Sequence, residues 1–421
     1  MQKTLKILFE GDPLIASCLY DANRTGIFFV TFNILKELTE RTDVAVSVFS
    51  TEFFDLTLLK KFLSENNLSN VDIIMPNWCL ALYERLKILK RLKKNQRQYA
   101  RYLGIKFLTI CLFPVYRVVK FFDTTLKNAA RHFDLALSAM NKLPDFTIPK
   151  YIVLHDCIPS ILPKYFKHSG WYRQLLQSLN HNDYYFSVSE NTKKDFIKLK
   201  PVIDPNKMYV IPLAASENFK PASDKAIKQA RLKYQIPDGK YVFSLCTLEP
   251  RKNLLRIVRT FAAFLEKHQL KDWYLVLGGT HWKEFIDQLN QEIKQTKYLD
   301  KIIKIGYVED EDLAPLYSGS EWFVYTSEYE GFGLPPLEAM SCGCPVITSN
   351  NSSLPEVVGD AGIMIDFDSD EQHIKAYESY YNDPDLRHSN AEKGLIRAKQ
   401  FSWKKSVDRM VTIMKSNLDT E

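Results

Sequence analysis

Short apolar runs alternate with amphipathic stretches along nearly the whole chain, and this alternation is the feature that most limits its fold. "LKILFEG" (5–11), "VAVSVFS" (44–50), "VDIIMP" (71–76), "FDLALSA" (133–139), "YIVLHD" (151–156), "DYYFSVS" (183–189) and "KMYVIPLAAS" (207–216) read as strands. Between them, "TGIFFVTFNILKELTER" (25–41) has apolar residues at helical spacing, and "ENTKKDFIKL" follows a serine cap. A polar segment, 217–239, carries Pro221 and Pro237 near its ends, and then the alternation restarts. "YVFSLCTLEP" (241–250), "WYLVLGG" (273–279), "KIIKIGYV" (301–308), "EWFVYTS" (321–327) and "CPVITSN" (344–350) are further strands, with "AGIMID" (361–366) at an edge. "NLLRIVRTFAAFLEKH" (253–268) is an amphipathic helix. Strands separated by helices make parallel sheets covered on both faces. A chain of 421 residues is too long for one ordinary core. The expectation is an α/β chain with two doubly wound domains, 1–216 and 240–395, joined by a linker at 217–239. Such folds bind ligands in the crevice at the carboxyl ends of their strands.

Charge is uneven. The net charge is +6, yet residues 85–106 hold nine Lys or Arg and no acid, so the remainder is slightly acidic. The following "FLTICLFPVYRVVKFF" is apolar but broken by Pro114, Arg117 and Lys120. It is too short and too charged to span a bilayer, and fits an amphipathic element on an anionic membrane face. The competing expectation is a solvated helix packed on the first domain. Nucleic acid is not expected as a partner, because no recognition module accompanies the patch. "MQKTLKILFEGDP" reads as a first strand, not a signal peptide. Seven cysteines without metal or disulfide spacing predict a reduced, cytoplasmic location.

Chemistry concentrates in the second half. "TLEPRKN" (247–253) places Arg251 and Lys252 where a strand meets a helix, a phosphate-binding arrangement or else a basic pair on a solvated loop. "LGGTHW" (277–282) has paired glycines that let a ligand approach backbone, or make an ordinary turn. In "GYVEDEDLAPLY" (306–317) the acids suit a helix N-terminus. "EYEGFGLPPLEAM" (328–340) puts Glu330 and Glu338 on either side of a Gly/Pro turn. Pro335 and Pro336 suit a first helical turn, where Glu338 is then expected, facing the same crevice as Glu330. Buried carboxylates need donors, and sugar and ribose hydroxyls supply them. Cations for a diphosphate and carboxylates for two sugars favour a nucleotide-sugar ligand.

"EGFGLPPLEAMSCGCPVITSNNSSLPEVVGDAG" closely resembles the signature of the retaining family 4 glycosyltransferases, which have the GT-B fold of two Rossmann-like domains facing across a cleft. "TLEPRKN" resembles the mannosyltransferase-like branch, and "YIVLHDCIP" and "FSVSENTKKDFIK" resemble first-domain landmarks. The resemblance runs from residue 5 to about 410 and is strongest over 240–365. It implies that Glu330 sits by the transferred sugar and Glu338 holds the ribose. Arg251 and Lys252 become the diphosphate cations. Main-chain groups of Gly331, Phe332, Gly333 and Leu334 contact phosphate and sugar, and that of Val308 meets the base. His155, followed by Asp156, lies by the reaction centre. "FSW" (401–403) starts a final helix, within 396–421, that crosses back to the first domain. Two departures stand out. The family's arginine five residues before the lysine is here Thr247, with Arg251 as substitute, and the glycine-rich turn after the first strand keeps only Gly26 in "RTGIFFV".

The implied reaction transfers a hexose, mannose-like, from a nucleoside diphosphate to a saccharide or lipid-linked hydroxyl with retention. Such a reaction suits bacterial surface polysaccharide assembly, at the inner face of the membrane. Retention is open to a carboxylate nucleophile, as in many glycosidases; the resemblance instead implies front-face attack, with the leaving phosphate taking the acceptor proton. Cations and helix-end amides can take up the diphosphate charge in place of a divalent ion, so neither metal nor cofactor is expected. A nucleotide-sugar epimerase of similar shape and a non-catalytic membrane scaffold are the alternatives.

Overall fold

The computed structural model describes residues 4–20, 26–51, 56–75, 77–91, 99–140, 142–166, 170–280 and 283–420. Among them, seven strands form a first sheet: β1 (Leu5–Glu10), β2 (Val44–Phe49), β3 (Asp72–Ile73), β4 (Leu135–Ser138), β5 (Lys150–Leu154), β6 (Tyr184–Ser187) and β7 (Met208–Val210), in the order β3-β2-β1-β4-β5-β6-β7. Six more form a second: β8 (Lys240–Leu245), β9 (Trp273–Gly278), β10 (Ile302–Gly306), β11 (Trp322–Tyr325), β12 (Val346–Ser349) and β13 (Gly362–Ile365), in the order β10-β9-β8-β11-β12-β13. Every pairing is parallel. This is the GT-B architecture. In each sheet the chain builds outward from its first strand, then returns to that strand's other side. The direction therefore reverses between β1 and β4 and between β8 and β11, and at such switch points the loops part to leave a crevice.

Ten helices carry the argument: α1 (Asp12–Tyr20), α2 (Gly26–Thr39), α3 (Trp78–Arg91), α4 (Tyr99–Phe122), α5 (Glu190–Leu199), α6 (Asp224–Lys233), α7 (Leu254–His268), α8 (Asp310–Ser318), α9 (Leu334–Ser341) and α10 (Trp403–Leu418). Strands β4, β6, β11 and β12 are buried at every position. Burial on both faces is why they read as unbroken apolar runs rather than alternating ones. Helix α7 buries Leu254, Ile257, Val258, Phe261 and Leu265 completely, one stripe at helical spacing. Each such side chain contributes roughly 1.5–3 kcal/mol.

Helix α10 does cross back. Met410, Val411 and Met414 are buried, and the helix packs on α2. Lys415 pairs with Asp43 at 2.6 Å, Arg41 pairs with Asp408, and Asn417 bonds the hydroxyls of Tyr151 and Tyr209.

Three local readings change. Residues 217–239, read as a linker, contain α6, capped by Ser223 and buried through Ala230. This helix packs on α8, and Tyr234 and Lys233 reach Asp312. Its sparse apolar positions hid it. Pro114 does not break the apolar segment but sits inside α4. Helix α1 begins directly after β1, with Asp12 at its start.

Candidate active site

The loops leaving β8 and β11 meet at the switch point of the second sheet. From β8 the chain reaches Glu249 and a tight turn, Pro250–Lys252, before Asn253 at φ 60° opens α7. From β11 it runs through Glu330 to α9. Lys252 Nζ donates to Glu330 Oε1 at 2.5 Å and to the Tyr325 hydroxyl at 2.6 Å. Tyr325 in turn donates to Glu330 Oε1 at 2.9 Å. Arg251 Nη1 reaches the same oxygen at 3.1 Å and the Tyr329 carbonyl at 2.9 Å, while Nη2 pairs with Glu249 at 2.7 Å. Lys252 is 7% exposed and Glu330 8%. Burial pushes the Glu330 carboxyl up, but Lys252 and Arg251 outweigh it and bring it down to about 2. The same burial raises the Glu249 carboxyl, against the pull of Arg251 and Lys252. Two acids and two bases thus balance within one buried cluster. The Nε of Arg251 is buried with no hydrogen-bond partner among the described residues.

Helix α9 starts at Leu334 after Gly333, whose φ of 119° is open to few other residues. Pro335 and Pro336 remove two N–H groups from its first turn, and no side chain caps it. Among the described residues no hydrogen bond leaves the amides of Phe332, Gly333 or Leu334. Glu338 falls in the second turn rather than the first, because the helix begins at Leu334. It shares no partner with Glu330. The Tyr317 hydroxyl, at the end of α8, donates to its Oε2 at 3.0 Å. Burial, joined by the charge of Asp310 and opposed by the Tyr317 hydrogen bond, pushes this carboxyl up to about 7.

The first domain closes on the turn. A Cβ on Gly331 would lie 2.2 Å from the His155 carbonyl, so only glycine fits there. The hydroxyls of Ser189 and Thr192, at the N-terminus of α5, donate to the Gly331 carbonyl at 2.8 and 3.0 Å. Glu356 of the second domain accepts the backbone N–H groups of Glu190 and Asn191 at 2.8 and 2.7 Å, a carboxylate at the positive end of α5. Glu328 accepts from Lys164 and Tyr165 at 2.6 and 2.8 Å. His155 approaches the Ala139 carbonyl, beyond β4, at 2.6 Å through Nε2. The carbonyl can only accept, so Nε2–H is the donor, and burial lowers the ring's pKa, which favours the neutral form with Nδ1 as an acceptor. Burial raises Asp156, which accepts the Ile158 N–H at 2.9 Å.

The structure therefore gathers Arg251, Lys252 and Glu330 in one cluster, with Gly331, Phe332, Gly333 and Leu334 on the adjoining turn and His155 and Asp156 against it. Glu338 sits one helical turn on. Val308 is buried beside Gly278, beyond β10. Gly26 opens α2, and the five preceding residues, 21–25, lie outside the described residues. Of "LGGTHW", residues 281–282 also lie outside them. Gly279 has a packing reason, because a Cβ there would lie 1.9 Å from the Cys246 carbonyl. Tyr325, Tyr317, Glu249 and Glu356 were not foreseen. Glu249, Tyr317 and Glu356 lie within quoted segments, and Tyr325 within the strand "EWFVYTS", but the sequence reading gives none of them a role in the site.

The profile of the family described as Glycosyl transferases group 1 matches residues 226–397. The O-antigen chain mannosyltransferase B of Escherichia coli is 33% identical over 281 residues, 66% of this chain and 70% of that protein. The serotype-specific mannosyltransferase WbdA of Escherichia coli is 26% identical over 283 residues, 64% of this chain but 34% of that protein. Among solved structures, the Anabaena protein HepE, crystallised with UDP and glucose, superposes with a TM-score of 0.68 at 16% identity, covering 98% of this chain and 100% of that one. At that identity the likeness carries the fold alone.

Proposed function

This chain belongs to the glycosyl transferases group 1 family, and from that premise we propose that it moves a mannose-like hexose from a nucleoside diphosphate to a saccharide hydroxyl, with retention and without a metal. The acceptor is a lipid-linked saccharide of a bacterial surface polysaccharide, met at the anionic inner face of the membrane. The supporting observation is the turn before α9: three amides that donate no hydrogen bond among the described residues, following Glu330, which Arg251 binds, at the switch point of the second sheet. Such amides at a helix start form an anion site.

In this reading the amides of Phe332, Gly333 and Leu334 and the guanidinium of Arg251 hold the diphosphate. Lys252 keeps Glu330 ionised and oriented toward the hexose. Glu338 accepts ribose hydroxyls, the Val308 backbone meets the base, and Nδ1 of neutral His155 accepts a sugar hydroxyl. Asp156 and Gly26 border the acceptor side. The bond from the anomeric carbon to phosphate oxygen breaks as the acceptor oxygen bonds to that carbon on the same face. The acceptor proton passes to the leaving phosphate. Charge grows on that phosphate in the transition state, where donors of this kind contribute about 3–4 kcal/mol each.

The test is transfer by the full chain in chelator, with guanosine, uridine, thymidine and cytidine diphosphate sugars, read by the one-bond carbon–proton coupling at the anomeric carbon of the product. Turnover with a retained anomer supports the proposal. An inverted anomer overturns retention, and activity restored only by a divalent ion overturns metal independence. A matching donor at about a hundred times its Kd should also stabilise the fold by about 2.7 kcal/mol. No shift with any donor would overturn the donor site.

A further inference from the structure

Helices α3 and α4 pack on each other through Tyr83, whose ring lies 4.2 Å from Tyr116 and 6.5 Å from Phe113. They must run antiparallel. From Tyr83 to the end of α3 is about 12 Å, and from the start of α4 to Tyr116 about 25 Å. A parallel pair would ask the chain between Arg91 and Tyr99 to cover roughly 37 Å, where eight peptide units reach about 28 Å. Trp78 and Phe121 therefore share one end of the hairpin. Helix α3 starts five residues after the last residue of β3, so this end stands at the carboxyl side of the sheet, where the crevice opens.

The inner side of α4 holds Thr109 and Tyr116. Its opposite side carries Phe107, Ile110, Cys111, Pro114, Val118 and Phe121, one stripe at i, i+3, i+4, i+7, i+11 and i+14. All are exposed: Phe107 70%, Ile110 61%, Val118 58% and Phe121 82%. Trp78, at 74%, and Leu82 extend the apolar surface onto α3. Lys106, Arg117 and Lys120 flank the stripe and are exposed. Between residues 85 and 122 the sequence has eleven Lys or Arg and no acid, although most side chains of 85–105 lie outside the described residues. Among the described residues no helix is long and apolar enough to cross a membrane.

We propose that this hairpin docks on an anionic lipid bilayer, with Phe107, Ile110, Val118 and Phe121 at the acyl boundary and the cations at the headgroups. A long helix with one apolar edge and cations beside it lies in the interface plane. A second copy on this face would set cation against cation. The proposal gives the lipid-linked acceptor reading its surface, and it rests on that reading for its purpose, not for its geometry.

The experiment is co-sedimentation of the full chain with phosphatidylethanolamine vesicles containing about one-third phosphatidylglycerol, beside neutral phosphatidylcholine vesicles. Transfer to a soluble acceptor is measured in parallel. The expected result is binding to the anionic vesicles that weakens with salt. Phe107→Ser with Phe121→Ser, and separately Arg117→Glu with Lys120→Glu, should each weaken it at least about tenfold. Thermal unfolding and soluble transfer should be unchanged in both. A fluorophore on Cys111, with Cys18 and Cys79 replaced by serine, should shift blue on anionic vesicles only. Equal binding by all variants, or to both lipids, overturns the proposal. So does a lipid-free dimer that the Phe107→Ser, Phe121→Ser chain loses. Vesicle binding without transfer would sink the transferase reading and leave the docking; transfer without binding would do the reverse.

Discussion

The surroundings of Glu330 and Glu338 are two regions built from one turn, and they push their carboxyls in opposite directions. Glu330 has two cations, buried Lys252 and part-buried Arg251, and is held at about 2. Glu338 has one tyrosine hydroxyl and is raised to about 7. The difference shows that a pair of acids in a motif is not a pair of equivalent charges. One carboxylate is fixed before any ligand arrives, whereas the other waits for donors to settle its ionisation.

Replacing the fixed one should do the most damage. Glu330→Gln leaves Lys252 and Arg251 without their shared anion, and kcat should fall by about a hundredfold or more. Acid unfolding provides a second readout. A carboxyl lowered from 4.5 to about 2 contributes stability that is present above about pH 4.5 and lost as pH falls through about 2. In Glu330→Gln that acid-side loss should shrink; if it persists, the cations do not hold Glu330 as described.

Glu338→Gln comes next, and its signature has the opposite sign. A carboxyl raised from 4.5 to about 7 contributes stability that is full below about pH 4.5 and lost as pH rises through about 7, up to about 3 kcal/mol in all. Denaturant melts of the wild type across that window should show the decline, and the variant should lack it. Donor KM should rise about tenfold, with kcat less affected than in Glu330→Gln. Equal loss of kcat in both variants would erase the comparison.

Tyr317→Phe is the smallest change. It removes the hydrogen bond that holds Glu338 down, so that carboxyl should titrate higher still and donor affinity at pH 7 should weaken a few-fold, an effect of about 1 kcal/mol. Affinity should recover as pH rises. An unchanged pH profile would mean that Tyr317 only fills the core.

Much of the fold and of the turn around Glu330 is legible in the sequence. Parallel strands buried on both faces declare themselves as apolar runs, and β8 and β11 carry the residues that end in the crevice. The turn around Glu330 was readable because glycine and proline have few other uses there. What stayed hidden depends on distance in space. Tyr325 and Tyr317 look like any core aromatics until a carboxylate lies 3 Å away. Glu356 caps α5 from the other domain, across 165 residues of chain. Helix α6 has too small an apolar face to announce itself. The apolar edge of α4 was visible as composition, but periodicity names a face without saying what covers it. In α7 the same pattern is wholly inside.

The return of α10 to the first domain also has a consequence for how the protein is made. Domains leaving the ribosome fold as units, N-terminal first. Here the first sheet can form early, but the surface of α2 that receives Met410, Val411 and Met414, and the charges of Asp43 and Arg41, wait for residues 403–418. A nascent chain therefore carries a bare apolar seam through the synthesis of the entire second sheet, and α10, which follows that sheet, closes both halves at once.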